Sequence, residues 1–357
     1  MSRSTPIAQT YDLLTSLLAL NPSTVELVPG DGSSWISQNA GTSYEPFLFV
    51  ENNLGIPQKI LYSVYLHAVG VFNTALRKHP PQTSNVTEAL IASSSVLILA
   101  NPSHQTALNT RKQLVREEKI DPCRELQFIA SLLPSHHCAK HAELWYHRRW
   151  LLSIAHTPRQ VAIQSNTEIV SSDTLLDIAP DSLRPELDLT ARACELYPRN
   201  YFAWTHRLIC TRSLLRIATT FPEERDKIIS MLRCEIAEIK RWIEYHVSDY
   251  SAVHYITTLV QCLHQANHSF LRDTIKDAGL FGHASSLVRA YPDHESLWMY
   301  ARTSFLESDP HSQELMERFL GEARSMSEQS NGNLGGNAAS QCHEHAQRYL
   351  SRKWQVC

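Results

Sequence analysis

The sequence predicts an all-α protein made of stacked helical hairpins. Three observations carry that expectation. Apolar residues recur at helical intervals through most of the 357 residues. Only 11 glycines are present, too few for glycine-rich phosphate loops or a turn-rich β protein. One short stretch, YPRNYFAWTHRLIC from Tyr197 to Cys210, returns in weaker form along the chain.

Each element follows from its own residues. Residues 22–46 are rich in Gly, Ser and Pro and read as a loop. In NPSHQTALNTRKQLVREEK, Asn101 suits a helix N-cap and Pro102 the first helical position. Residues 197–221 space Trp204, Leu208, Leu215 and Ala218 along one helix face. The next helix opens with Pro222 and two glutamates, which favour a helix N-terminus. Its apolar stripe runs through Ile228, Ile229, Leu232, Ile236, Ile239 and Ile243, a core-facing amphipathic pattern. Residues 157–180 read as an insertion between helices. Residues 327–340, SEQSNGNLGGNAAS, read as a flexible linker before a short C-terminal helix over 341–357. The expected organisation is one helical-repeat domain over 1–326, with repeats at about 86–308.

Composition excludes several classes. A 43% hydrophobic content can supply a substantial core. A net charge of −3 and a pI near 6.6 argue against a general nucleic-acid binder. No run of 18 apolar residues occurs, so no membrane span is expected, and the first residues do not read as a secretory signal. A soluble cytoplasmic protein is the expectation. The eight cysteines form no close pair and read as small buried residues in a reducing compartment.

The repeat shows best when five segments are aligned on a Trp slot. The slots are Leu108, Trp145, Trp204, Val253 and Trp298, separated by 37, 59, 49 and 45 residues, the 59 including the insertion. Arg stands three residues after the slot in Arg111, Arg148 and Arg207; Ile256 and Ala301 hold that place in the last two copies. This period suits a helix–turn–helix hairpin with the slot in the first turns of its second helix. The aromatic fills the gap between hairpins, and the Arg, one turn along the same face, reaches carbonyls or acidic groups of the next hairpin.

Asn-Tyr-x-Ala-Trp-x-x-Arg, here Asn200 to Arg207, resembles the repeat of protein prenyltransferase alpha subunits. HESLWMYAR, DYSAVHY and the segment 55–76, matched to an N-terminal helix, are most similar to the branch of prenyltransferase alpha-subunit-repeat-containing proteins. The resemblance implies a right-handed superhelical crescent, an α-α solenoid, wrapped around a separate beta subunit. That beta subunit would hold the catalytic zinc and the isoprenoid pocket. No cofactor or metal is expected on this chain, and an isoprenoid diphosphate would be the co-substrate. The implied activity is geranylgeranyl transfer to a C-terminal Cys of a SNARE or Rab-type client.

The resemblance also implies site residues. Alpha subunits carry Lys-Asn-Tyr-Gln before one Trp, and the Lys reaches the leaving diphosphate. Aligned on Trp145, this chain has Lys140, His141, Ala142 and Glu143. Lys140 keeps the ammonium, which would stabilise developing negative charge. In the next repeat Tyr201 is kept, while Phe202 stands where the family has His. Glu143 would repel a client's terminal carboxylate. His137, Cys138 and His141 form a superficially metal-like group without a third convincing ligand, and read as a solvated or interface face. Cys357 ends the chain, but neither a CaaX box nor a double-Cys end is present. The competing reading is a non-catalytic helical-repeat scaffold that binds a protein partner, favoured by the losses at Leu108, Val253, Ala142 and Phe202.

Overall fold

The computed structural model describes residues 7–33, 44–78, 84–156, 175–266, 268–304, 310–329 and 344–348. Helices dominate, as the periodicity predicts. The described structure divides into two compact units, Met1–His206 and Arg207–Cys357.

In the first unit, α1 (Ile7–Ala19) packs on α2 (Gln58–Arg77) and α3 (Ser84–Ala100), which themselves form a hairpin. Then come α4 (Gln105–Arg116), α5 (Pro122–Leu132), α6 (Ala142–His156), α7 (Pro180–Leu196) and the start of α8 (Tyr201–Thr220). The second unit contains the rest of α8, α9 (Arg225–Tyr245), α10 (Tyr250–Gln265), α11 (Ser269–Ala278), α12 (Leu280–Ala290), α13 (Glu295–Thr303) and α14 (Pro310–Gln329).

All five slots behave alike. Leu108, Trp145, Trp204, Val253 and Trp298 are each the fourth residue of α4, α6, α8, α10 and α13, and all are buried. The indole N–H groups of Trp145 and Trp298 donate to carbonyls six residues back, Ala139 at 3.0 Å and Pro292 at 2.8 Å. The residue before each of these helices closes its N-terminus or ties it to a neighbouring turn. His104 Nδ1 accepts from the Ala107 N–H, Asn200 Oδ1 from Ala203, and Asp249 Oδ1 from Ser251 and Ala252. His141 and His294 instead bond the hydroxyls of Ser103 and Ser248 in the preceding hairpin turns, at 2.8 and 2.7 Å. The Asn of the repeat motif is therefore a helix cap.

Several expectations are corrected. Asn101 is not the cap of α4: its side chain accepts from the Ser103 N–H within a turn, and the helix begins four residues later. Pro222–Glu224 form a 3-10 turn, so α9 starts only at Arg225. Pro180 opens α7 rather than closing the insertion, whose residues 157–174 lie outside the described set. Helix α14 runs through Gln329, into the expected linker; 330–343 lie outside the described residues, and 344–348 are helical. Cys138, Cys194 and Cys210 are buried as expected, but Cys123 and Cys234 are exposed. Cys342 and Cys357 lie outside the described residues.

The loop expected over 22–46 contains a strand. β1 (Thr24–Val28) pairs parallel with β3 (Asn53–Pro57), and β2 (Leu48–Val50) pairs antiparallel with β3. Glu51 and Asn52, both at positive φ, make the two-residue turn between β2 and β3. Gly55 lies where β2 approaches closely: a Cβ there would be 3.3 Å from the Leu48 Cβ, a tight contact. The sheet packs on α5 and α2 and so supports the turn that precedes α6.

Replacing Asn200 by Ala removes the cap of α8 and should cost about 1 kcal/mol in a denaturant titration, while Asn200→Ser, which keeps a neutral cap oxygen, should cost less.

Candidate functional site

The most ordered chemistry lies between hairpins. Each of three buried carboxylates is held from two sides. Arg111 on α4 grips Glu125 on α5 through Nε and Nη2, at 2.7 and 2.5 Å. Its Nη1 also donates to the Ile91 carbonyl and to the hydroxyls of Ser94 and Ser95 on α3. His147 on α6 meets the same carboxylate at 3.1 Å. In the next pair, Arg148 on α6 grips Glu186 on α7 at 2.7 and 2.6 Å and donates to the Leu126 carbonyl of α5. His206 on α8 meets Glu186 at 2.9 Å. In the second unit, Arg207 grips Glu235 on α9 at 2.7 Å through both Nε and Nη2, and the Tyr255 hydroxyl of α10 donates to it at 2.5 Å.

Thus the Arg of one hairpin and the residue just before the Arg position in the next hairpin share one acid. Fork-to-carboxylate pairing of this kind is strong and directional. Burial alone would raise the Glu125 and Glu186 carboxyls, but their Arg and His partners hold both at about 2. Burial pushes His147 and His206 below the usual imidazole value, against the pull of their glutamates. Both rings are therefore neutral near pH 7 and donate Nε2–H to the carboxylate. Where α10 carries Ile256 and α13 carries Ala301, the Arg is lost. There Tyr300 meets His283 Nδ1 at 3.2 Å, and His283 Nε2 meets Glu244 at 2.9 Å.

The sequence-derived site residues lie on the turn edge of the first unit. Lys140 is exposed in the turn before α6, and its Nζ stands 4.4 Å above the Tyr197 ring. His136 packs edge-on against the same ring at 4.7 Å. Glu26 on β1 accepts a hydrogen bond from the His136 backbone, which places the sheet beside this turn. Tyr201 is the first residue of α8, 57% exposed, with its ring 5.7 Å from Phe202. Lys140 therefore stacks on Tyr197, four residues before Tyr201, a neighbour that the motif alignment does not reveal. Glu143 lies in the first turn of α6, half-buried.

Of the two readings of the His137–His141 pair, solvated or interface face, its contacts with the preceding hairpin favour the second. His137 Nε2 lies 3.1 Å from the Ala100 carbonyl, and His141 Nδ1 bonds Ser103. Residues 137–140 form turns rather than a helix. Burial pushes His141 down, Glu143 opposing and His137 adding to the shift. Cys138 is buried and its thiol is pushed up to about 12, so it is protonated near neutral pH. These residues do not fit a zinc ion, which needs a thiolate and free ring nitrogens.

Residues 183–214 match the protein prenyltransferase alpha subunit repeat; the matched segment holds Glu186, Asn200, Trp204, His206 and Arg207. The chain is 26% identical to protein prenyltransferase alpha subunit repeat-containing protein 1 of Danio rerio, over 73% of this chain and 64% of that one. It is 28% identical to protein prenyltransferase alpha subunit repeat-containing protein 1-A of Xenopus laevis, over 68% of this chain and 51% of that one. It is also 24% identical to the geranylgeranyl transferase type-2 subunit alpha of Rattus norvegicus, over 64% of this chain and 36% of that one. The chain thus spans about half to two thirds of the repeat-containing relatives it matches.

The clamps set a pH dependence. Glu125 and Glu186 sit at about 2 when folded against an ordinary 4.5, so they contribute stability above about pH 4.5 that is lost as pH falls towards 2. His147 and His206 lie below the ordinary 6.5 when folded. The unfolded chain therefore takes up their protons first, and stability declines as pH falls through 6.5. Both effects have one sign. The melting temperature should fall between about pH 7.5 and 5, before the carboxylates titrate, and His206→Gln, which keeps an N–H for Glu186, should flatten that fall. A flat wild-type profile over this range would contradict the assignment.

Proposed function

We propose that this chain, which carries the protein prenyltransferase alpha subunit repeat, is the alpha-subunit-like component of a heterodimeric protein prenyltransferase. The observation that carries the reading is the matched hairpin: its cap, slot and clamp residues are all present and in their structural places. Similarity to a geranylgeranyl transferase subunit supports a C20 isoprenoid diphosphate as co-substrate. The zinc and the isoprenoid pocket belong to a separate beta subunit. The client presents a C-terminal Cys, as SNARE and Rab-type proteins do. The reaction takes place in the cytoplasm.

In this reading Lys140 offers its ammonium to the leaving diphosphate from the exposed turn edge. Tyr197 holds the Lys140 side chain in place by cation–π contact. Tyr201 offers a phenol O–H from the first turn of α8. Both groups would meet charge that grows as the carbon–oxygen bond to the diphosphate breaks. A binding-only scaffold is the second reading. Ala142 and Phe202 favour it, because neither side chain can hydrogen-bond a diphosphate or a client terminus.

Co-expression with the beta subunit of a type-2 geranylgeranyl transferase should yield a co-eluting heterodimer that labels a Cys-tailed client. Lys140→Ala should lower kcat by about 100-fold while leaving the heterodimer intact. Failure to co-elute would remove the heterodimer. A stable complex without transfer to any Cys-tailed client would leave the scaffold.

A further inference from the structure

One charged cluster in the first unit is used neither by the clamps nor by the turn edge. Lys112 and Arg116, one helical turn apart on α4, both converge on the indole of Trp150 on α6. Lys112 Nζ and Arg116 Cζ each lie 5.6 Å from its centroid. His147 stacks on the same indole, with centroids 5.7 Å apart and planes at 21°. Trp150 is only 7% exposed, so the two side chains and His147 cover it. Lys112 is half-buried and Arg116 exposed.

Cations on an indole are ordinary when a carboxylate completes the group. Here, among the described residues, neither Lys112 nor Arg116 makes a hydrogen bond or an ion pair. The nearest buried acid, Glu125, is already gripped by Arg111 and His147. Exposed Glu117, beside Arg116, accepts from Gln113. His147 is neutral and adds no negative charge. Two like charges thus share one partly desolvated spot, and among the described residues neither is paired with a carboxylate. Burial pushes the Lys112 ammonium down, and Arg116 adds to that shift.

The geometry points to a docking site for an acidic segment of a protein partner, whose carboxylates would pair with Lys112 and Arg116 over Trp150. Charge complementarity sets the occupant. Two charged heads an i,i+4 step apart on one helix suit carboxylates spaced along an acidic segment. The site does not depend on the prenyl-transfer reading, since none of its groups touches the Lys140 turn in the contacts above.

The test uses the full-length protein and a fluorescein-labelled hexaglutamate peptide, followed by anisotropy. The paired variant Lys112→Met with Arg116→Met keeps the apolar stems over Trp150 and removes both charges. Lys59→Met with Lys78→Met, in the same unit, is the charge-matched control. The peptide should bind the wild type and the control alike, weaken with salt, and bind the Lys112/Arg116 variant about tenfold or more less tightly. In the wild type the peptide should also slow acetylation of Lys112 relative to Lys59, read by mass spectrometry, a measurement that needs no variant. Equal binding by all three proteins, no binding by the wild type, or unchanged Lys112 acetylation would overturn the site. Displacement of the peptide by inorganic pyrophosphate at matched charge would reassign it to a phosphate ligand and overturn the polypeptide partner.

Discussion

The structure depends on a buried carboxylate shared by two hairpins. Isolated, such a group would be expensive to bury, because it loses its hydration. Glu125, Glu186 and Glu235 are each almost fully buried, and each is compensated by a bidentate Arg and a second donor. A buried ion pair of this kind is weak support for net stability but strong support for register. A hairpin that slid by one turn would leave a guanidinium on one side and a carboxylate on the other without partners. Apolar contacts alone would tolerate that slip far better.

The remaining packing is consistent with this register. Each slot residue falls one turn into its helix, so that the Arg three residues on faces the next acid. The caps fix where each helix starts and therefore where the slot falls. His141 and His294 tie neighbouring turns together through serine hydroxyls. In the first unit, Lys140 and Tyr201 stand exposed at the turn edge. The clamp ends where α10 carries Ile256 and α13 carries Ala301. There the second unit has apolar contacts, the Glu244–His283–Tyr300 chain and hydroxyl contacts such as Thr257 to Thr303 at 2.8 Å.

Much of this was legible in the sequence. The hairpins, the slots and the reach of Arg111, Arg148 and Arg207 towards acids all follow from helical spacing. The acids themselves were not found, although a trace of them exists. Glu125 precedes Phe128, Ile129 and Leu132; Glu186 lies between Leu183 and Leu187; Glu235 falls on the stripe of Leu232, Ile236 and Ile239. A glutamate on an apolar stripe needs a cation, and a search for that pattern would have paired them. The His before Arg148 and the His before Arg207 stand at the same place in two repeats, but nothing local marks them as partners of a buried acid. The small sheet escaped because its strands are three to five residues long and its tight turn, Glu51–Asn52, lacks glycine. The contact of Lys140 with Tyr197 joins two repeats across the insertion, which local spacing cannot reveal.

A double-mutant cycle on Arg148 and Glu186, followed by equilibrium denaturation, tests the clamp most directly. Arg148→Met and Glu186→Leu alone should each cost about 3–5 kcal/mol, because each leaves its partner charged and buried. The double variant should recover most of that loss, giving a large coupling energy. Small, additive losses would contradict the central role of the shared carboxylate and leave the stacking to apolar packing.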